Sequence, residues 1–123
     1  MISDQYIKEG VRIRKVYIYN LKEILKQEPA IYERKLIFEK LQAEMETVVT
    51  SDLNEIRKTL ELNNKLLLLE KEIKIIQDLV KPYYDTIENL KNDKDKLYLA
   101  IKEKYPNITT EQIEKDIMSK VEE

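Results

Sequence analysis

Carboxylates, lysines and tyrosines are the side chains left for chemistry here, because the chain contains no His and no Cys. Without imidazole it lacks the usual general base near neutral pH, the commonest metal ligand and every Ser-His or Cys-His arrangement. Without thiols there is no disulfide, thiolate site or redox couple, which fits a reducing compartment. Glu44, Glu46, Glu70 and Glu72 come nearest to a di-metal pattern, but helical di-metal sites also use Glu-x-x-His, which this chain cannot supply. A single Gly leaves no glycine-rich phosphate loop. The carboxylates therefore read as solvated flanks of apolar stripes, and the sequence predicts no enzyme, no metal and no cofactor.

Charge offers a second kind of chemistry. In the first 26 residues Lys8, Arg12, Arg14, Lys15, Lys22 and Lys26 are opposed only by Asp4, Glu9 and Glu23, giving +3 there and −5 over the rest. Tyr17 and Tyr19, interleaved among them, carry rings on which bases can stack. Yet the whole chain is −2 and holds four Arg against 18 Lys, whereas nucleic-acid readers concentrate Arg on a strongly basic face. Nucleic-acid binding through the first helix is accordingly the weakest functional reading. Residues 110–123 are −3, with Glu111, Glu114, Asp116, Glu122 and Glu123 against Lys115 and Lys120. An electrostatic contact is expected between Lys8, Arg12, Arg14 and Lys15 at one end and Glu111, Glu114 and Asp116 at the other, within a molecule or head to tail between copies.

The elements that must position these groups announce themselves by spacing. Leu62, Leu66, Leu69, Ile73, Ile76, Val80, Tyr83, Ile87, Leu90, Lys94, Leu97 and Ile101 follow one another in an unbroken 4,3 rhythm, and eleven of the twelve are apolar. Side chains repeating every 3.5 residues form a seam that must bury against other helices. Lys94 is the odd member, expected to snorkel out. β-Branched residues at a-like and Leu at d-like positions favour a two-stranded coiled coil, while Leu79, Tyr84, Tyr98 and Ala100 widen the stripe towards a bundle of three or more helices.

The expected architecture is all-α: an elongated helical bundle or coiled coil with three to four long helices and a short C-terminal helix. A domain over 1–105 holds helices at about 3–28, 30–62 and 65–104, the last kinked near Pro82 but keeping its phase. Ile7, Val11, Ile18, Leu21 and Leu25 give the first helix its stripe, although 11–19 is rich in β-formers and a strand there stays open. Glu28-Pro29 reads as a turn with Pro at the start of the second helix. Its stripe is Ile31, Phe38, Leu41, Met45, Val49, Leu53, Ile56 and Leu60, and a break belongs either at Thr50-Ser51-Asp52 or, preferably, at Asn63-Asn64. Tyr105-Pro106-Asn107 ends the long helix. Thr109 and Gln112 then form a capping box, with Ile108 and Ile113 as a hydrophobic staple, for a docking helix within 106–123.

With no secretion signal and no apolar run near membrane-spanning length, the chain is expected to be soluble and cytoplasmic, without membrane or small-molecule partners. Its partners are proteins: copies of itself or a larger assembly. The Lys-, Ile-, Asn- and Tyr-rich usage suits an AT-rich genome, and in size and style the chain resembles small helical virion, tail-adaptor or assembly proteins of bacteriophages. That general look implies a structural component, placed in the virion if the chain is of phage origin. A chaperone, adaptor or inhibitor of one protein partner is the alternative. Ile73→Asp or Ile87→Asp is expected to collapse helicity or oligomerisation, since an unpaired charge in an apolar seam costs several kcal/mol. Unchanged circular dichroism and mass would count against this register.

Overall fold

The computed structural model describes residues 2–48 and 52–122, and among them every regular element is a helix. α1 spans Asp4–Glu46, α2 spans Leu53–Lys104 and α3 spans Thr110–Val121. Among the described residues two long helices precede the short C-terminal one, and Pro29, expected to begin a helix, lies inside α1. A mid-helix proline frees the carbonyl four residues back and crowds it. Both costs are small where that turn faces water, and Pro29 and Leu25 are exposed. Pro82 likewise lies exposed inside α2, which keeps its helical assignment throughout.

The two long helices carry matching rhythms. On α1 the positions Tyr6, Gly10, Ile13, Tyr17, Asn20, Ile24, Gln27, Ile31, Arg34, Phe38, Leu41 and Met45 are spaced 4,3 without a break, and all are buried or half-buried. This differs from the expected stripe, whose Leu21 and Leu25 are exposed. Four polar or small members, Gly10, Asn20, Gln27 and Arg34, hide the rhythm from an apolar count. The β-formers at 11–19 are helical because Ile13 and Tyr17 fall on this buried face and Val11 and Val16 pack against the same core, so packing outweighs their weak strand preference.

Asn63-Asn64 lies within α2 and does not break it. Of the other candidate break, Thr50 and Ser51, like Val49, lie outside the described residues. Asp52 accepts the Asn54 N–H through Oδ1 at 2.9 Å and so caps the start of α2. α1 ends on Thr47, whose N–H and hydroxyl both donate to the Glu44 carbonyl, at 3.1 and 2.8 Å.

Contacts divide the chain into two compact units, Met1–Glu23 with Pro82–Glu123, and Ile24–Lys81. In the first, the start of α1 meets the end of α2: the Ser3 N–H donates to the Tyr105 hydroxyl at 3.1 Å, and Arg12 lies 3.9 Å from Asp93. The two segments therefore run antiparallel. Ile2, Ile13, Leu90, Leu97, Ile101, Ile113 and Ile117 form the core, to which α3 brings the last two. α3 starts at a complete capping box: Thr109 Oγ1 accepts the Gln112 N–H at 3.2 Å, and Gln112 Oε1 accepts the Thr109 N–H at 3.0 Å. Ile108 packs against the core that Ile113 enters, so the staple is present.

In the second unit, Arg34 Nε donates to Glu72 Oε2 at 3.0 Å while its Nη1 donates to the Ala30 carbonyl at 3.1 Å. Arg34 precedes the end of α1 and Glu72 follows the start of α2, so these segments also form an antiparallel pair. Ile24, Ile31, Leu62, Leu66 and Val80 are its buried apolar residues. An ion pair from a half-buried seam position to a half-buried flank of the facing seam adds little net stability but selects one alignment of two otherwise repetitive apolar faces.

Gly10 is where α3 crosses α1. A Cβ there would lie 2.7 Å from Ile117 Cγ1 and 3.3 Å from Ile117 Cγ2. Overpacking at Gly10→Ala costs about 1–3 kcal/mol against a helix-propensity gain of about 1 kcal/mol, so a net destabilisation of up to about 2 kcal/mol is expected. In urea titrations Gly10→Ala combined with Ile117→Ala should cost clearly less than the two single changes summed. Simple additivity would mean that the two residues do not share the space.

Candidate interaction surfaces

Seven members of the α2 seam, Leu62, Leu66, Val80, Ile87, Leu90, Leu97 and Ile101, are buried, and Leu69, Ile73, Ile76 and Tyr83 are half-buried. The chain covers this seam from within, Ile101 completely. Lys94 alone is exposed; its ammonium leaves the seam and sits 5.3 Å from the centre of the Tyr98 ring. Asn20, the buried polar member on α1, satisfies its amide by donating to the Val16 carbonyl at 2.7 Å. No buried side-chain nitrogen or oxygen among the described residues lacks a partner. The interior therefore holds no orphaned group awaiting a ligand.

Within one molecule the charged ends find other neighbours. Arg12 is held by Glu9 at 2.6 Å and reaches Asp93; hydrogen bonding to Arg12 lowers the Glu9 pKa, and the same bond raises that of Arg12. Both are exposed, so the pair adds little stability. Lys8, Lys15, Glu111 and Asp116 are exposed, and among the described residues no ion pair joins Lys8, Arg12, Arg14 or Lys15 to Glu111, Glu114 or Asp116. α3 is seated by the apolar contact of Ile117 with Gly10 and by the core.

Arg14 and Glu114 do share one feature, a cleft of about 390 Å³ in the first unit. Its floor is apolar, with Ile13, Leu90, Leu97 and Ile117, and Arg14, Lys91 and Lys94 stand around it with Glu114 as the one carboxylate. Arg14 lies 5.7 Å from the Tyr17 ring centre, as Lys94 does near Tyr98, so two of the cations rest on tyrosine faces. Such a cleft can hold an apolar group that ends in a negative charge. It contains no nucleophile paired with a base. Among the described residues, no three His, Cys, Asp or Glu side chains converge to hold a metal ion, and no helix is long and apolar enough to cross a membrane.

The more extensive feature is apolar and exposed. Fifteen large hydrophobic side chains are exposed among the described residues, and eleven of them lie in Ile24–Lys81. Leu25, Tyr32 and Leu36 recur at i, i+7 and i+11 on α1, as do Leu68, Ile75 and Leu79 on α2, so each trio shares one helix face. Leu53, Ile56, Leu60 and Leu67 follow one another on a further face of α2. Of the residues expected to widen the seam, Leu79 and Tyr84 are exposed, while Tyr98 and Ala100 are half-buried. The signal for these faces was in the sequence: Leu66 to Leu69 places four leucines in succession, and a helix seam can absorb only two of them.

Tyr98 offers a titration test of the cleft. Burial raises its pKa first and Glu114 second, with Arg14 opposing. A phenol whose folded pKa is raised keeps its proton better in the folded state, so its stabilising contribution is complete below the ordinary tyrosine value of about 10 and is lost as pH rises above it. Urea denaturation on either side of that value should show stability falling more steeply with pH for the wild type than for Tyr98→Phe. Identical slopes would remove Tyr98 from the buried wall.

No family model, no curated protein and no solved structure matches this chain.

Proposed function

We propose that this chain is a non-enzymatic assembly protein that acts by packing helices against other protein chains in a multi-subunit complex. The observation that carries the reading is the contrast between a satisfied interior and the apolar stripes left outside it. Folded single chains rarely leave so much aliphatic surface wet, because each large side chain kept in water forgoes about 1.5–3 kcal/mol. The absence of His and Cys and the lack of a nucleophile-base pair in the cleft agree with a role without catalysis. In this reading the 4,3 seams of α1 and α2 pack within each unit as an antiparallel coiled coil whose polar members set its alignment, and the protein serves as a virion, tail-adaptor or comparable structural component, cytoplasmic before assembly.

A second reading, an adaptor or inhibitor of one partner, draws support from the cleft, whose three cations and apolar floor suit an acidic segment with an apolar side chain. The basic first helix gives nucleic-acid binding little support, since Arg12 is engaged by Glu9 and Asp93 and Arg14 rests on Tyr17. The mass of the complex recovered with a tagged chain from its native host separates the readings. Assembly predicts a particle of many times 14.8 kDa containing repeated copies, whereas the adaptor reading predicts one copy with one partner. Recovery as a free 14.8 kDa chain would refute both.

A further inference from the structure

We infer that the helix pair Ile24–Lys81 packs against the same pair of a second copy of this chain, burying its exposed stripes in a bundle of four helical segments. The inference rests on the assembly reading and names the partner. Three observations carry it.

The first is where the unburied surface lies. Eleven of the fifteen exposed large hydrophobics fall in this unit, which supplies fewer than half of the chain's residues. No spare segment of the described chain is left to cover them, since α3, the one short helix, is committed to the core of the other unit. Two antiparallel helices bury only the faces they turn to one another, and stable all-helical packings bring in a third or fourth helix to close the rest.

The second is area. Counting roughly 60 Å² of apolar surface for each partly exposed side chain, the eleven residues offer on the order of 650 Å² per copy. A standard protein interface takes about 800 Å² from each partner, with about 65% of that apolar in a homodimer, or close to 500 Å². Summed over their several faces, the exposed residues of one copy reach that requirement, so the pairing has to engage more than one of these stripes.

The third is charge. The unit holds ten Lys and Arg against eleven Asp and Glu, a net of −1, with the signs interleaved as in Glu33-Arg34-Lys35, Glu39-Lys40 and Glu70-Lys71-Glu72. A strongly acidic or basic partner would find no field to steer it. An identical copy, with its charges interleaved in the same way, meets no block of like charge. The other unit, by contrast, gathers Arg14, Lys91 and Lys94 around one cleft. The apolar unit, whose charges are interleaved and not gathered at one place, is the one suited to meeting itself.

The test is sedimentation equilibrium of the purified full-length chain across the micromolar range. The wild type should sediment at twice 14.8 kDa or a higher multiple. Two triple variants, Leu25→Lys/Tyr32→Lys/Leu36→Lys and Leu68→Lys/Ile75→Lys/Leu79→Lys, alter exposed side chains only and should keep their helical circular dichroism. At least one should dissociate about 100-fold more readily, in line with the loss of buried interface anchors. Should the variants lose helicity, a spin label on Ile75→Cys decides the matter, because the chain has no other thiol. Pairing predicts dipolar broadening that disappears on dilution with unlabelled chain. A wild type that stays monomeric without such broadening overturns the inference, as does an oligomer that survives both triple variants. A monomeric purified chain beside a large native complex overturns the self-pairing alone and leaves the assembly reading in place.

Discussion

The rest of the structure depends on two 4,3 seams, one on each long helix, from which water must be excluded. Each apolar member buried there gains about 1.5–3 kcal/mol, and the gain is available only if the helices run antiparallel in one alignment. In the first unit the alignment is secured at the helix ends by Ser3 with Tyr105 and by Arg12 with Asp93, and laterally by α3. In the second it is secured by Arg34 with Glu72. Repetitive apolar faces slide easily by one repeat, and a charged member that finds its partner in only one position prevents this.

The units spend their apolar residues differently. Pro82–Glu123 and Met1–Glu23 assemble three helical segments, and among the described residues only Tyr19, Leu21, Tyr84 and Leu99 of their large hydrophobics are exposed. Ile24–Lys81 assembles two, and its outer faces remain apolar. The same chemistry thus yields a satisfied core where a third helix is present and an unsatisfied surface where it is not.

Much of this was legible in the sequence. The α2 seam could be counted directly because eleven of its twelve members are apolar, and the capping box at Thr109 and Gln112 is a local signal that needs no tertiary information. The α1 seam escaped because Gly10, Asn20, Gln27 and Arg34 occupy it for reasons that only tertiary structure supplies: a helix crossing for Gly10, a carbonyl partner for Asn20 and an ion pair for Arg34. Pro29 and Asn63-Asn64 suggested breaks because both disfavour helix locally, yet each falls on an exposed position where the penalty is small and packing along the rest of the helix prevails. The cleft was not readable, since Arg14, Lys91, Lys94 and Glu114 come from all three helices and share no spacing.

Leu66 and Leu68 lie two residues apart in one run of leucines on α2 and expose 8% and 58% of their surfaces, so they report on the two faces. Thiol labelling of Leu66→Cys and Leu68→Cys, followed at increasing protein concentration, is the most direct test. The account predicts that the first is protected at every concentration while the second reacts freely in dilute solution and becomes protected as copies meet. Equal reactivity at the two positions, or a Leu68→Cys rate indifferent to concentration, would contradict it.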